Sequence, residues 1–567
     1  MRKVAILALL LASVWVFSVL SREDGVGGSD FHKNDITYSR EVVTPHVRWA
    51  SKLPGGPIKA FFIPSIKFGR DMVELMQRLD LAPTTVSIDR EWDINCWGIG
   101  DYYGHEPRGD KNDFQVVYGY VEKDLAGPAP FEVMVIPGLN GWSRMTRATR
   151  DAILRRVNDG AGLVLIHPFV GDVKGNPFRG DEKEGDTRIW EVSPLVNSLD
   201  DLVSSRGYPE VNKAALTRGA WQVAKEHFIT SGQALDLLPD ATVGGSLYKY
   251  QPAGEMLIRA GEYPVLAVKR YGKGRVVALA YQEEGFIPKE VDPVETGIYW
   301  DFWEYYYSLL ARTVLWASGR ESTVSFRSLV ARPDAGTALG LTLLVSSPIE
   351  AEIAVTSRSE FGHALTTYLQ SERLTTGEIA VSIPAAVFTT SSGGKEIFDV
   401  IVRDKDKQTT LEWGNATFQS PKRATLTLIK PATDVYRQGD TLSVALRAAG
   451  NLSDLAMKVR ITDDLDRLVH SQVLPARGER YFLCPLEHFI GRYAFVTAEL
   501  VEPNGGVVDQ LRAKPVMVVQ KDRRIREYTP LVSFGGSRHF LKTSQTRQVR
   551  NLASDLGFTW GELLTTN

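Results

Sequence analysis

Short apolar runs alternate with segments of helical periodicity through the first half of the chain. The run at 58–64 has the continuous apolar character of a buried parallel strand, and the segment that follows repeats apolar residues at spacings of three and four. The predicted strands are 58–64, 84–89, 131–138, 162–168, 255–259, 264–269 and 274–281, and the predicted helices are 69–80 and 146–157. This alternation predicts a doubly wound sheet with helices on both faces, over residues 57–320.

An aromatic segment closes this domain. Its large side chains recur at three- and four-residue spacing and form one helical face: Trp300, Trp303, Tyr307, Leu310 and Val314. We expect this face to pack on the sheet, which at this spacing is favoured over a sugar-binding platform. The turn Tyr271–Gly274 is predicted to join two strands as a hairpin, because glycine supplies the positive φ that a tight turn needs.

Helical periodicity ends near residue 321, and short alternating strands follow. The strands predicted there are 338–346, 350–357, 378–383, 396–403, 424–429, 441–448, 457–462, 492–501 and 513–520. Their spacing predicts two β-sandwich domains of immunoglobulin-like size, at 321–420 and 421–520. The fold class is therefore α/β plus all-β, with a short α/β tail at 521–567 that resembles the first strand and helix of a barrel. Either the chain is a fragment of a longer product, which we favour, or this tail packs on the second sandwich.

The first 21 residues have the pattern of an export signal. A basic start precedes an apolar run at 4–20 and a polar exit, as in a secretory signal, and an uncleaved membrane anchor is the alternative. Residues 22–56 read as a linker or surface arm. We therefore predict an extracytoplasmic protein, secreted or periplasmic, whose contact with a membrane would come only from this N-terminal segment.

Composition narrows the function classes. Hydrophobic residues make up 43% of the chain, which excludes a mainly disordered protein, and 66 Lys and Arg against 68 Asp and Glu argue against a nucleic-acid binder. The two cysteines, Cys96 and Cys484, exclude a disulfide framework and a Cys-rich zinc site. No metal or cofactor is predicted. A carbohydrate ligand and a homo-oligomer are left open as partners.

Four segments carry a resemblance to a known family: Val135–Gly138, Gly160–His167, Phe228–Gly232 and Tyr271–Val277. In their order and spacing the first domain resembles the class I glutamine amidotransferase-like fold, especially the form found in trehalose-utilisation-type proteins and beta-galactosidases. The resemblance implies a flavodoxin-like sheet. The whole layout is similar to large secreted glycoside hydrolases, in which such a domain stands beside β-sandwiches and a barrel.

The residues that the family uses for catalysis are missing. A working amidotransferase carries a nucleophilic cysteine at a strand-to-helix turn, where this chain has His167-Pro168-Phe169. The family's His-x-Glu would follow the last strand, where this chain has Tyr281-Gln282-Glu283-Glu284. Hydrolysis of glutamine is therefore not expected.

The remaining candidate site is the family's pocket, converted to another function after the loss of its catalytic residues. Ligands of doubly wound sheets bind outside the carboxyl ends of the strands. Candidate acid–base residues in the segments that leave this edge are His167, Asp172 and Glu283. Candidate ligand-binding residues after the second strand are Trp92, Trp97, Asp101, Tyr102, His105 and Glu106. A vestigial pocket with solvated acidic residues is the alternative.

Three functions are compatible with this pattern. The first, which we favour, is the non-catalytic N-terminal part of an exported carbohydrate-processing protein, in which the amidotransferase-like domain serves as a scaffold or binds glycan. The second is an independent hydrolase or metal-assisted enzyme that uses the pocket at the strand ends, related to glycoside hydrolases if it is enzymatic. The third is a surface adhesion or assembly protein in which the sandwiches are spacers.

Overall fold

The fold is described from a computed structural model. It describes residues 43, 46–63, 70–85, 122–127, 130–137, 147–166, 188–197, 220–238, 250–280, 300–331, 337–385, 393–463, 467–490, 493–513, 515–519, 531–534 and 560–563. The chain divides into two compact units, one made of Met1–Ile36, Trp97–Gly109 and Lys521–Asn567, the other of Thr37–Cys96 and Asp110–Gln520. Within the described residues, no helix is both long and apolar enough to cross a membrane.

An eight-stranded mixed sheet forms the first part of the larger unit. Its strands are β1 (Ile58–Phe62), β2 (Leu81–Thr85), β3 (Val133–Pro137), β4 (Gly162–Ile166), β6 (Trp221–Val223), β8 (Glu255–Ala260), β9 (Tyr263–Tyr271) and β10 (Gly274–Leu279). The order across the sheet is β2-β1-β3-β4-β10-β9-β8-β6. The first five strands are parallel and the last three add on antiparallel. Two short strands, β5 (Leu195–Asn197) and β7 (Tyr250–Pro252), pair with each other beside it.

Helices cover the sheet. They include α1 (Arg70–Arg78), α2 (Arg147–Asp159), α3 (Ile189–Val192) and α4 (Trp300–Ala317). β2 and β4 lie on opposite sides of the β1–β3 pair, so right-handed crossovers place α1 and α2 on opposite faces. α4 packs on α1 and on the sheet strands β3, β4 and β10. The parallel strands β1, β3, β4 and β10 are almost wholly buried, as expected for a sheet covered on both faces, whereas the edge strand β2 is partly exposed.

The second strand differs from its prediction. It begins at Leu81, after two residues that follow α1, and includes Pro83, whereas the sequence pattern predicts 84–89. Proline has no N–H for a ladder hydrogen bond, and β2 accommodates it because β2 is the edge strand of the sheet. Residues 86–89 lie outside the described part of the chain.

The predicted hairpin near residue 272 is confirmed. β9 and β10 pair antiparallel with Tyr271 opposite Gly274, and Gly272 has a φ of 56°. A side chain at Gly272 would also collide with Asn158 at the end of α2. Glycine is therefore required here both by the turn and by the close approach of the helix.

The first β-sandwich packs two sheets around its own apolar core. Its strands are β11 (Val324–Ala331), β12 (Thr337–Val345), β13 (Ile349–Ser359), β14 (Ala364–Leu374), β15 (Gly377–Pro384), β16 (Gly394–Asp404) and β17 (Thr410–Ser420). One sheet has the order β11-β12-β15 and the other β14-β13-β16-β17. The core between them includes Leu341, Ile353 and Val400, each essentially without exposed surface.

The second β-sandwich has a separate core. Its strands are β18 (Ala424–Pro431), β19 (Val435–Arg437), β20 (Thr441–Gly450), β21 (Ala456–Thr462), β22 (Leu468–Pro475), β23 (Glu479–Pro485), β24 (Tyr493–Val501), β25 (Val507–Arg512) and β26 (Val516–Val519). The sheets are β18-β20-β23 and β19-β26-β24-β21-β22, with β25 paired to β24. Val444, Val459 and Phe482 are fully buried between them. The molecule is thus mostly β, with several sheets and sandwich-like packing, as the sequence predicts for this half.

Two strands of the tail pair in parallel. β27 (Leu531–Phe534) aligns with β28 (Trp560–Leu563), with Leu531 opposite Trp560. Parallel neighbours require a crossover connection. The helix predicted at 543–556 lies outside the described residues.

Candidate functional site

The carboxyl ends of five parallel strands meet at one edge of the eight-stranded sheet. Pro137 of β3 is opposite Ile166 of β4, and Ile166 is opposite Leu279 of β10. On the other side, Phe62 of β1 is opposite Thr85 of β2. The segments that leave these strands therefore begin side by side. In sheets of this kind that edge is where ligands bind.

The predicted site residues belong to the segments that leave this edge. His167 directly follows β4 in the sequence, and Glu283 comes four positions after the end of β10. These two and the remaining candidates lie outside the described residues, and their roles stay predictions: Asp172, Trp92, Trp97, Asp101, Tyr102, His105 and Glu106. The structure supports one step of the argument, that β4 and β10 are neighbours in the sheet.

A buried ionic cluster lies between α1 and α4. The Nε and Nη2 atoms of Arg78 donate to Oε2 of Glu304 at 3.0 and 2.7 Å, and Nη1 donates to Oε2 of Glu74 at 2.6 Å. Nε1 of Trp49 donates to the other oxygen of Glu304 at 2.6 Å. The side chains of all three charged residues have no exposed surface. This fork geometry uses the planar guanidinium in a way that a lysine could not reproduce.

Burial and neighbouring charges shift the pKa values of Arg78 and of Tyr307 beside it. Burial alone would lower the pKa of Arg78, but the carboxylates of Glu304 and Glu74 raise it above its ordinary value. Tyr307 in α4 donates to Oδ1 of Asp71 at 2.6 Å, and burial together with the negative charge of Asp71 raises the pKa of Tyr307 well above its ordinary value. Arg78 is therefore charged and Tyr307 neutral at any physiological pH, so the cluster is suited to hold the two helices together.

A second buried ion pair joins α4 to the first sandwich. Nη1 of Arg312 donates to Oε1 of Glu412 in β17 and to the carbonyl of Trp413 at 2.7 Å, while Nε donates to the carbonyl of Phe228 at 3.1 Å. Glu412 also accepts from the backbone N–H of Trp413 at 2.9 Å. Burial raises the pKa of Glu412, and the ion pair with Arg312 opposes that rise. One guanidinium thus connects a loop of the α/β domain with a strand of the sandwich.

Uncharged contacts extend this interface, here called the α4–sandwich interface and comprising α4, residues 227–234 and β17. Nε1 of Trp413 donates to Oγ of Ser308 at 3.1 Å, and Ser308 donates to Oε1 of Gln233 at 3.0 Å. Oδ1 of Asn415 accepts from the backbone N–H of Ala234 at 2.7 Å. These bonds satisfy polar groups that would be costly to bury unpaired.

A third ion pair lies at the same junction. The hydroxyl of Tyr305 donates to Oδ1 of Asp399 at 2.8 Å, and Nε of Arg358 donates to Oδ2 at 2.6 Å. Burial raises the pKa of Asp399 to about 6, even though Arg358 and Tyr305 both favour its charged form. This carboxyl titrates in the mildly acidic range while it bridges α4 and the sandwich.

His227 adds a titratable group at this interface. Its ring packs edge-on against Trp316 at 5.1 Å between centroids, and its Nδ1 accepts from the backbone N–H of Ile229 at 3.2 Å. Burial, followed by the positive charges of Arg312, Lys225 and Arg275, lowers the pKa of His227 to about 4. The ring is therefore neutral near pH 7.

None of these interface residues was predicted to be functional, although the sequence of α4 contains a signal for them. Glu304, Ser308 and Arg312 are spaced by four and place a polar stripe on an otherwise apolar helix. Such a stripe indicates that a second structural element, in addition to the sheet, covers the helix. Tyr307, Leu310 and Val314 of the predicted stripe are buried as expected, while the side chains of Trp300 and Trp303 lie outside the described residues.

Metal ligation is not indicated by the described residues, which contain no group of three or more His, Cys, Asp or Glu side chains placed to hold an ion. The side chains of the Arg78 and Arg312 ion pairs have no exposed surface. Their arrangement holds structural elements together.

Comparison with known proteins identifies no family. No protein-family model and no curated protein matches the chain. Among solved structures, E. coli alpha-2-macroglobulin is 12% identical over 35% of this chain and 16% of its own length, with a TM-score of 0.19. A bacterial ice-binding adhesin is 12% identical over 38% of this chain and 72% of its own, with a TM-score of 0.15. Bacteroides uniformis beta-glucuronidase is 14% identical over 21% and 16%, with a TM-score of 0.14.

These neighbours include a glycoside hydrolase and an adhesin, but the TM-scores are too low to define a fold or a function for this chain. The chain spans about one sixth of the macroglobulin that it matches.

Proposed function

We propose that this chain is the non-catalytic part of an exported carbohydrate-processing protein, in which the α/β domain and the first sandwich act together as a rigid scaffold. The observation that carries the proposal is the Arg312–Glu412 ion pair, which is completely buried between the two. Removing one partner of such a pair leaves the other charge buried without compensation, so both residues are needed for the two domains to pack together as they do. A junction of this kind fixes the position of one domain relative to the next.

The α/β domain is proposed to be a degenerate amidotransferase-like domain. Its parallel strands follow the order β2-β1-β3-β4-β10, and a flavodoxin-like sheet has the order 2-1-3-4-5. His167-Pro168-Phe169 follows β4, where the family has its cysteine, and the sequence Tyr281–Glu284 follows β10 without a histidine. The frame of the fold and the loss of its nucleophile together support a scaffold in preference to an enzyme.

Turnover measurements test this proposal. The full chain is assayed for ammonia release from glutamine and for hydrolysis of aryl glycosides and aryl esters, beside the variants His167→Ala and Glu283→Ala. We expect no turnover that either substitution reduces. Turnover by the unmodified chain that falls in either variant would overturn the proposal in favour of an enzyme at the carboxyl edge of the sheet.

A further inference from the structure

A cleft of about 770 Å³ opens at one end of the second sandwich. It is formed by the loop between β20 and β21, at 451–455, and by the connection between β22 and β23, at 476–478. Its volume is within the ordinary range for sites that bind small molecules or short oligomers. Loops held at the end of a rigid sandwich are a common location for binding residues.

The floor of the cleft is apolar and fixed. Leu455 and Ala476 are 7% and 1% exposed and belong to the core of the second sandwich, and Leu452 packs partly buried against the same core. A ligand that rests here would contact side chains that the fold already holds in place, so little ordering would be needed on binding.

Two arginine side chains lie at the rim of the cleft. Arg477 and Arg480 are exposed, and within the described residues their side chains make no hydrogen bond or ion pair. Other arginines of this sandwich are paired: Arg447 with Glu479, Arg460 with Glu499 and Arg467 with Asp463. Among the described residues, Arg477 and Arg480 thus bring two guanidinium groups without such pairing to the same cleft.

A carboxylate completes the rim. Asp454 has a φ of 62°, in the left-handed region, and is exposed beside the cleft. Its turn is held by bonds from the backbone N–H of Ser453 to Oδ1 of Asn451 at 3.2 Å and from the N–H of Leu455 to the carbonyl of Leu452, also at 3.2 Å. The carboxylate is therefore presented on an ordered loop, where it can accept hydrogen bonds from hydroxyl groups.

We propose that this cleft binds an anionic oligosaccharide. Arginine forks match the geometry of carboxylate and sulfate groups, an exposed carboxylate accepts sugar hydroxyls, and the leucine floor receives the apolar face of a ring. The site is distinct from the carboxyl edge of the α/β sheet, and it goes beyond the scaffold role proposed above. Failure of the turnover test would leave it unaffected, because none of its residues belongs to the α/β domain.

Direct binding to the full chain tests the proposal. Calorimetric titrations would use a galacturonate tetramer, a heparin-derived tetrasaccharide, neutral maltotetraose and a hexapeptide of Asp and Glu. We expect at least one anionic sugar to bind, and the doubly substituted Arg477→Gln/Arg480→Gln chain to bind it at least ~10-fold more weakly, because each arginine supplies a charged hydrogen bond. The galacturonate tetramer carries carboxylates alone and the heparin-derived tetrasaccharide carries sulfates beside its carboxylates, so tighter binding of the latter would show that sulfate groups add to recognition.

The control variant is Arg447→Gln, an exposed arginine of the same sandwich that is already paired with Glu479 and does not line the cleft. It should leave binding unchanged, and all variants should unfold at the same temperature as the unmodified chain. The proposal is overturned if neither anionic sugar binds, if maltotetraose or the acidic peptide binds as tightly, or if the double substitution has no effect.

Discussion

Arg312 of α4 and Glu412 of β17 form an ion pair in which neither side chain has any exposed surface. The pair joins an α-helix that packs on a parallel sheet to a strand of an antiparallel sandwich, 100 positions further along the chain. The same guanidinium reaches the carbonyl oxygens of Phe228 and Trp413. Its N–H donors are thus distributed over two separate segments, the loop at Phe228 and strand β17 at Glu412 and Trp413, which explains why the junction requires arginine.

Substitution of Arg312 should destabilise the protein strongly. In Arg312→Met, Glu412 remains buried without its cation, and we expect a loss of about 3–5 kcal/mol in the free energy of unfolding. The double variant Arg312→Met/Glu412→Gln should lose less than the sum of the two single changes, because no unpaired charge remains. Urea unfolding followed by circular dichroism measures these values.

The matched control for this series is Arg373→Met, which removes an arginine whose side chain is 78% exposed and 3.6 Å from Glu350. Its unfolding midpoint should be close to that of the unmodified chain. Equal effects of Arg312→Met and Arg373→Met would contradict a central role for the buried pair.

A close backbone approach gives a second prediction for the α4–sandwich interface. A Cβ atom at Gly414 would collide with the carbonyl of Gly232, and it would lie 3.0 Å from the ring of Phe326. We expect Gly414→Ala to cost about 1–3 kcal/mol, because the strand and the loop must separate. The control Gly340→Ala lies in β12 with nothing near its added methyl group, and it should be neutral or nearly so. Thermal unfolding compares the two, and similar losses in both would refute the close approach.

His227 should make the folded state sensitive to acid. Its folded pKa of about 4 lies below the ordinary 6.5, so between these values the unfolded chain binds the additional proton. The stabilising contribution is complete above about pH 6.5 and is lost as the pH falls towards 4. Because the ring is only partly buried, we expect at most about 2 kcal/mol from this effect.

The variant His227→Asn isolates that contribution, since Asn offers an oxygen near the position of Nδ1 but does not titrate. Unfolding measured at pH 4.5, 5.5 and 7 should show the stability of the unmodified chain, relative to this variant, rising with pH. His363→Asn at an exposed position is the control. A difference that is constant across the three pH values would show that His227 does not titrate as described.

Asp399 should have the opposite effect to His227 on how the stability of the folded state changes with pH. Its folded pKa of about 6 lies above the ordinary 3.8, so the folded state holds the proton more tightly, and its contribution decreases as the pH rises from about 4 to about 6. Relative to Asp399→Asn, the unmodified chain should therefore lose stability across that range. Denaturant titrations at the same pH values provide the measurement, and a relative stability that rises with pH would rule out the elevated pKa.

Local pattern predicted much of the architecture. The continuous apolar runs located β1, β3 and β4 within one or two residues, and the glycine at 272 located the β9–β10 hairpin. β14 is one of several strands that were not predicted, because the side that faces the sandwich core mixes polar Thr366, Gln370 and Glu372 with Tyr368 and Leu374. As an edge strand it tolerates polar side chains that a central strand could not bury.

The residues of the candidate site were harder to predict from the sequence than the strands were. Arg78 and Glu304 are 226 positions apart, and no local periodicity reports that they meet. Charged residues on an apolar helix could have been read as evidence of a second packing partner, but which partner covers them depends on the tertiary fold. The acid–base candidates His167 and Glu283 remain predictions, supported by the adjacency of β4 and β10.

α4 packs on the sheet on one side and is bonded to β17 on the other. A cut at residue 320 would therefore separate the helix from one of the two elements that cover it. If either domain were exchanged for an unrelated one at that point, Arg312 or Glu412 would lose its partner. The α/β domain and its sandwich must therefore be inherited as a pair, and changes on one side of the helix can persist only when the other side accommodates them.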